Sequence, residues 1–254
     1  MVDEKKLEKA VDIIKNSNYI VVFTGAGSST ESGIADFRSE GGLWSHYDPS
    51  IYADYYYFLQ DPSKFWEMHR ELEDIVGSAK PNPTHYAIAE LEKAGKVKAV
   101  ITQNIDMLHQ KAGSGKYGAK IFQLHGEYGT LECIKCNKIY EYDEIDTKIK
   151  PYPVCECGGF IKPRVILFGE PLPSDELNGA MDACRKADCF LMVGSSLMVS
   201  PANFMPGIAK NNGAKLIFIN RDPTMMDDLA DIFLQGSSSE ILTKIIEKLD
   251  LKTK

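Results

Sequence analysis

No apolar run in the 254 residues approaches the ~18 that a membrane-spanning helix needs. No basic run is present either: 36 Asp and Glu outweigh 29 Lys and Arg, for a formal net charge of −7. Affinity for nucleic acid rests mainly on neutralising phosphates with Lys and Arg, so no direct nucleic-acid partner and no membrane partner are expected. The opening segment MVDEKKLEKAVDIIKN lacks the apolar centre of a secretory signal, and a cytoplasmic location is expected. In that compartment the six cysteines serve as metal ligands or buried thiols rather than disulfides. Low-complexity tracts and internal repeats are also missing. With 44% hydrophobic and 26% charged residues, the composition excludes long disordered stretches. The length suits one main core plus a smaller lobe, and a monomer is the expectation.

What is present is an alternation. Leu7, Ala10, Val11 and Ile14 recur at helical spacing. Short apolar runs follow at Tyr19 to Phe23, Val97 to Thr102, Ile121 to Leu124, Cys189 to Val193, Lys215 to Asn220 and Ile232 to Leu234. Such runs suit strands buried on both faces. Helical patterns lie between most of them, at Pro83 to Ala94, Glu176 to Ala187 and Pro201 to Asn211, and Ser238 to Leu249 closes the chain. Strands alternating with helices predict an α/β fold with a Rossmann-like open parallel sheet. Ligands of such sheets bind beyond the carboxyl ends of the strands. Two stretches break the alternation. Residues 36–80 are rich in aromatics and read as a loop plus helices. Residues 128–164 carry four cysteines and little else to build a core. Both read as insertions that form a second, smaller lobe, which leaves 1–35, 81–127 and 165–254 to the main domain.

The first apolar run ends in Thr24-Gly25-Ala26-Gly27-Ser28-Ser29-Thr30. Glycines after a strand let the backbone approach a pyrophosphate, and a following helix N-terminus favours its charge. Taken alone, a G-A-G turn is as easily structural. Thr30 stands where the third glycine of a dinucleotide fingerprint belongs, and no acidic ribose-binding residue ends a second strand about 20 residues on. An ordinary dehydrogenase is therefore disfavoured.

Longer motifs sharpen this reading. Gly25 through Arg38 (GAGSSTESGIADFR) resembles the signature loop of the sirtuin family. Thr102-Gln103-Asn104-Ile105-Asp106 and Leu124-His125-Gly126 are similar to its next two motifs, and Phe168-Gly169-Glu170, Gly194 to Leu197 and Ile219-Asn220 follow in the family's order. The resemblance spans about residues 5–245. It implies breakage of the nicotinamide–ribose bond of NAD, attack of an acyl-lysine oxygen on C1′, and release of lysine and O-acyl-ADP-ribose. It assigns the nicotinamide pocket to Asp106 and the backbone of Ile105, the ribose or an ordered water to Asn104, and a ribose hydroxyl to Gln103. Phe37 would cover the reactive face and exclude water, and Arg38 would lie near the phosphates. Gly25, Ala26, Gly27, Thr30, Gly194, Ser195, Ser196, Asn220, Arg221 and Ile232 complete the implied cofactor contacts. His125 is the implied general base, since an imidazole accepts a proton near neutrality. It deprotonates a ribose hydroxyl that attacks the imidate. His46, His69, His85 and His109 are given no catalytic role, and His85 reads as structural.

Cys133-x2-Cys136 and Cys155-x-Cys157, eighteen residues apart, can meet at one tetrahedral zinc. The second spacing is one residue tighter than usual. Four thiolates fill the coordination sphere, so the zinc activates no water and is structural. Cys184 and Cys189 read as buried small hydrophobes. Within the resemblance, an acyl-lysine peptide lies as an added strand between Phe168-Gly169-Glu170 and the segment from Gly194 to Ser200, which includes Val199; Val165, Ile166, Phe168 and Leu197 are candidate walls for the acyl group, though four such apolar residues equally suit simple core. His69 and Leu72 occupy positions where members that prefer acidic acyl groups carry Tyr and Arg, which disfavours succinyl-type groups. Ala35 replaces a proline usual before Asp-Phe-Arg. The expected activity is deacylation, most simply deacetylation; mono-ADP-ribosylation or NAD hydrolysis from the same cofactor site is the alternative.

Overall fold

The computed structural model describes residues 3–37 and 41–251. Helix α1 (Glu4–Asn16) starts at Asp3, whose carboxylate accepts from Lys6 N, and buries Leu7, Ala10, Val11 and Ile14. Its carboxyl end is closed by Lys96, whose Nζ donates to Lys15 O and Ser17 O. Strand β1 (Ile20–Thr24) is buried throughout. Ile20 and Val22 point into the core on one face, Val21 and Phe23 into the core on the other. That two-sided burial is why the strand reads as an unbroken apolar run rather than an alternation.

Helices α2 (Pro49–Tyr52), α3 (Tyr55–Gln60) and α4 (Ser63–Ser78) follow, then α5 (Pro83–Lys93), β2 (Val97–Thr102), α6 (Leu108–Ala112) and β3 (Lys120–Gln123). A second sheet is made of β4 (Gly126–Cys133), β5 (Ile139–Glu141) and β6 (Ile161–Val165). The chain then returns through α7 (Ser174–Lys186), β7 (Cys189–Val193), α8 (Met205–Asn211), β8 (Lys215–Asn220), β9 (Ile232–Gln235) and α9 (Ser238–Leu249). The large sheet runs β3-β2-β1-β7-β8-β9, every neighbouring pair parallel. From β1 the chain builds outward to β2 and β3; it then comes back to β7, on the other side of β1, and builds the opposite way. The strand order thus reverses between β1 and β7, the position where open α/β sheets leave a crevice. α1, α5 and α9 cover one face, α7 and α8 the other.

The small sheet runs β5-β4-β6, antiparallel. Its inner residues Leu131, Cys133, Tyr140 and Ile161, with Cys155 from the loop before β6, share one core with Phe58, Phe65, Trp66 and Met68. The cysteine segment thus has more core than its composition suggests, because the aromatic insertion supplies the other half. Polar contacts rivet the two together. Trp66 Nε1 donates to Ile161 O, Arg70 to the carbonyls of Ile149 and Pro151, and Glu73 accepts from Thr147 and Lys148. Val165 and Leu167 belong to this core as well, and Phe168 pairs with Asp54. The crossing back to the main sheet therefore lies a few residues beyond 165.

Glu92 holds the approach to β3. It is 1% exposed, and its carboxylate accepts from the backbone N–H groups of Gly115, Tyr117 and Ala119. Glu92→Ala leaves three backbone donors, one buried and two part-buried, without their acceptor and is expected to cost about 2 kcal/mol, read as a lower urea midpoint at unchanged slope. Glu92→Gln should fall between that variant and the parent.

Candidate active site and metal centre

The carboxyl ends of β1, β2, β3 and β7 converge. Gly25 N donates to Val193 O, Gly27 N to Gly194 O, Gln103 N to Thr24 O and Leu124 N to Thr102 O. Gly25, Gly27 and Gly194 meet backbone to backbone. A Cβ on Gly194, which has φ +62°, would lie 2.3 Å from Ser28 N, and one on Gly27 would lie 2.9 Å from Gly194 O. Only glycine permits this contact across the reversal point. No long helix follows the turn. Residues Ala26–Ser28 and Thr30–Ser32 form two short 3-10 turns, and Thr30 Oγ1 donates to Gly27 O. The missing third glycine matches this: no α-helix packs there to require it.

Asn104 ties the second strand end to that turn. Its Nδ2 donates to Gly25 O and to the hydroxyls of Ser28 and Ser29. Asp106 accepts from Ser29 Oγ at 2.6 Å and from Leu108 N at 2.9 Å. Ile105 O accepts from Tyr128 N. Gln103 Nε2 donates to Ser195 Oγ, and Ser195 Oγ also accepts from Leu197 N. Met107 and Leu197, with φ of 61° and 54°, hold strained left-handed backbone beside these groups. The structure thus brings Gly25, Gly27, Asn104, Asp106, Gln103 and Ser195 into one cluster, with Ala26 and Thr30 on the half-buried rim and Ser196 exposed.

Two histidines without an assigned role stand directly behind this cluster. His85 Nδ1 accepts from Asn82 N in a capping box at the start of α5, so Nε2 bears the proton and faces Ser29 Oγ at 3.4 Å. His109 Nε2 lies 2.9 Å from Thr24 Oγ1, whose own proton goes to Thr102 Oγ1. Burial pushes His85 down to about 4 and His109 down to about 3, so both are neutral near pH 7. His85 therefore caps a helix and also orders Ser29. A sequence signal for this existed in the Asn-Pro-Thr-His spacing, which places a side-chain acceptor at the third helical position.

His125 follows β3. Its Nδ1 lies 3.1 Å from Gln103 O. A carbonyl only accepts, so Nδ1 carries the proton and Nε2 keeps its lone pair. Burial lowers the imidazole pKa, opposed by the backbone hydrogen bond. Its carbonyl accepts from Ile166 N. Gly126 must be glycine, since at φ +77° a Cβ would lie 1.9 Å from Arg164 O.

Other expected contacts fall in different places. Phe37 is 38% exposed and packs on Trp44, whose ring in turn lies 6.1 Å from Phe168. Arg38 lies outside the described residues. Asn220 and Arg221 sit at the carboxyl end of β8: Asn220 Nδ2 donates to Asp222 O, and Arg221 O accepts from Gln235 Nε2. Ile232 is a correction. It pairs with Ile217 at the amino end of β9, and its side chain is in the core, about 10 Å short of the carboxyl edge. Gln235 is the residue beside Asn220 at that edge. The Glu170 carboxylate turns inward to Lys162 Nζ and Leu167 N, which leaves its main chain as the part of the residue that faces the expected peptide edge. Phe168 is exposed and Val199 half-buried, while Val165 and Leu197 are buried, the first in the small-lobe core and the second in the main core. Gly169, at φ +84°, passes close to the ring of Tyr56.

The four cysteines meet as their spacing predicts. All four Sγ atoms lie within 4.8 Å of one another, with Cys133 to Cys157 at 3.5 Å and Cys136 to Cys155 at 3.7 Å. A tetrahedral zinc with sulfur at 2.3 Å requires S···S separations of about 3.8 Å, so the set fits that ion. Tyr140 OH donates to Cys155 Sγ, a second partner for a thiolate ligand. Cys184 and Cys189 are fully buried, and burial raises each thiol to about 12. The protein is expected to hold one zinc per chain. Chelation should release it and shift the fluorescence of Trp66, which is wholly buried in the shared small-lobe core. Full turnover in metal-free protein would contradict a structural zinc.

The profile described as the Sir2 family matches residues 25–201. The NAD-dependent protein deacylase 2 of Archaeoglobus fulgidus is 48% identical over 250 residues, which is 97% of both chains. A solved structure from work on the mechanism and regulation of Sir2 enzymes superimposes with a TM-score of 0.90 at 48% identity, covering 97% of this chain and 98% of that one. A second, of a Sir2 variant with a deacetylated p53 peptide and 3′-O-acetyl-ADP-ribose, gives 0.89 at 35% identity, covering 95% and 98%. Sequence motifs, sheet order and these likenesses agree: the chain belongs to the Sir2 family, the sirtuins.

Proposed function

We propose that the protein removes acyl groups from protein lysines at the expense of NAD, releasing nicotinamide and O-acyl-ADP-ribose. NAD supplies the ribose carbon that takes up the acyl oxygen as nicotinamide leaves. The glycine turn and the edge at Gly194, Ser195, Asn220 and Arg221 bind the dinucleotide, while Asn104, Asp106 and the Ile105 backbone orient its nicotinamide end. Phe37 covers the reacting face against water. His125 Nε2 takes the proton of a ribose hydroxyl, which attacks the acyl carbon now tethered through its oxygen to C1′; lysine leaves, and one water completes the transfer of the acyl group to the ribose. One observation carries this role: the Nδ1–H bond to Gln103 O presents a neutral imidazole with its basic nitrogen free. A charged imidazole there could not accept a proton.

The acyl-lysine peptide docks between the exposed Phe168 turn and the segment from Gly194 to Ser200. The acyl group is a neutral one, acetyl being the simplest. Burial pushes His69 to about 4, and it bonds Tyr142 OH, so that position offers no cation to a succinyl carboxylate. The net charge of −7 suits basic lysine-bearing peptides over nucleic acid, and no helix among the described residues is long and apolar enough to cross a membrane. We place the enzyme in the cytoplasm as a monomer.

Incubation with NAD and a panel of acyl-lysine peptides, with products identified by mass, tests the reaction. Equal loss of NAD with no lysine product would favour ADP-ribosyl transfer or NAD hydrolysis. His125→Ala should lower deacylation about 10²- to 10⁴-fold with an unchanged melting temperature. Because the folded pKa of His125 lies below 6.5, the rate should be flat through neutrality and fall only as pH drops below 6.5. An acid limb centred above 7 would contradict the assignment.

A further inference from the structure

Lys162 is a charged side chain that the reaction does not use, and it is 1% exposed on β6. A buried ammonium is costly unless several groups answer it. Here Nζ donates to Val165 O at 2.7 Å and to Glu170 Oε2 at 3.2 Å, with Glu132 Oε1 at 3.9 Å on the partner strand. Glu170 Oε2 also accepts from Leu167 N. One buried ion pair thus ties both ends of the turn from 165 to 170, and its middle is tied as well.

That turn has two further attachments. Ile166 N donates to His125 O, so the turn grips the backbone of the proposed base. Phe168 N donates to Ala53 O and Phe168 O accepts from Tyr55 N, which presents Phe168 and Gly169 at the edge where the peptide is proposed to dock. None of the contacts of Lys162 reaches the glycine turn or Ser195.

We propose that the Lys162–Glu170 pair is a positioning element that sets the shape of the 165–170 turn, and through it the acyl-lysine docking edge, while leaving NAD binding alone. The proposal rests on the deacylase reading for the identity of the ligand. A purely structural ion pair would lower stability and every affinity together. A positioning pair separates the two ligands.

The test compares Lys162→Met, Glu170→Gln and the double variant Lys162→Met/Glu170→Met. Three quantities are read on the full chain with its zinc: melting temperature, affinity for a fluorescent acetyl-lysine peptide, and affinity for NAD. Both single variants should bind the peptide ~10-fold or more weakly, with NAD affinity within about 2-fold of the parent. The double variant, which leaves no uncompensated partner of the pair, should regain melting temperature over Lys162→Met but not peptide affinity. Recovery of peptide affinity in step with stability would overturn the proposal, as would an unchanged peptide affinity in Glu170→Gln. Should Lys162→Met fail to fold, Glu170→Gln and the double variant decide. Peptide binding is read without turnover, so a parent protein that binds the peptide but releases no lysine would contradict the deacylase reading alone.

Discussion

The hydrogen bond from His125 Nδ1 to Gln103 O is the contact on which the rest depends. It exists because β2 and β3 are parallel neighbours in register, Thr102 beside Gln123. Gln103 and His125 are thus the first and second residues past the two strand ends. The carbonyl fixes the tautomer, and burial keeps the ring neutral. From Gln103 the constraint runs onward to Ser195 across the sheet, and from the His125 carbonyl to Ile166 in the small lobe. The bonded pair Gln103 and His125 therefore joins the edges proposed for the dinucleotide and for the peptide.

The two lobes use different physics for the same end. The large sheet is held by two-sided apolar burial, which needs no metal. The small sheet has three short strands and recruits an aromatic insertion from upstream, a cysteine cluster and a buried ion pair. A lobe this small gains from a bound zinc, because closing four ligands on one ion replaces core that the segment lacks.

Legibility in the sequence followed the physics. The strands were readable because burial on both faces leaves continuous apolar runs, and Val97–Thr102, Cys189–Val193 and Lys215–Asn220 match to the residue. The cysteine cluster was readable because a metal imposes spacing. Residues whose role is set by a distant partner were not. Glu92 and Lys162 look like surface charges in the chain, and only the fold shows three amides converging on one and a carboxylate meeting the other. His85 and His109 read as bland because their partners, Ser29 in the turn after β1 and Thr24 at its end, are remote in the chain. Ile232 was misplaced because an apolar run gives the extent of a strand but not which end faces the ligand; the register with Ile217 shows that.

The tautomer and charge of His125 test the central claim most directly. Nitrogen-15 chemical shifts of the labelled imidazole at neutral pH distinguish the three possible states. A protonated Nδ1 and a pyridine-type Nε2 are expected. A proton on Nε2 with a bare Nδ1, or a doubly protonated ring at pH 7, would contradict it.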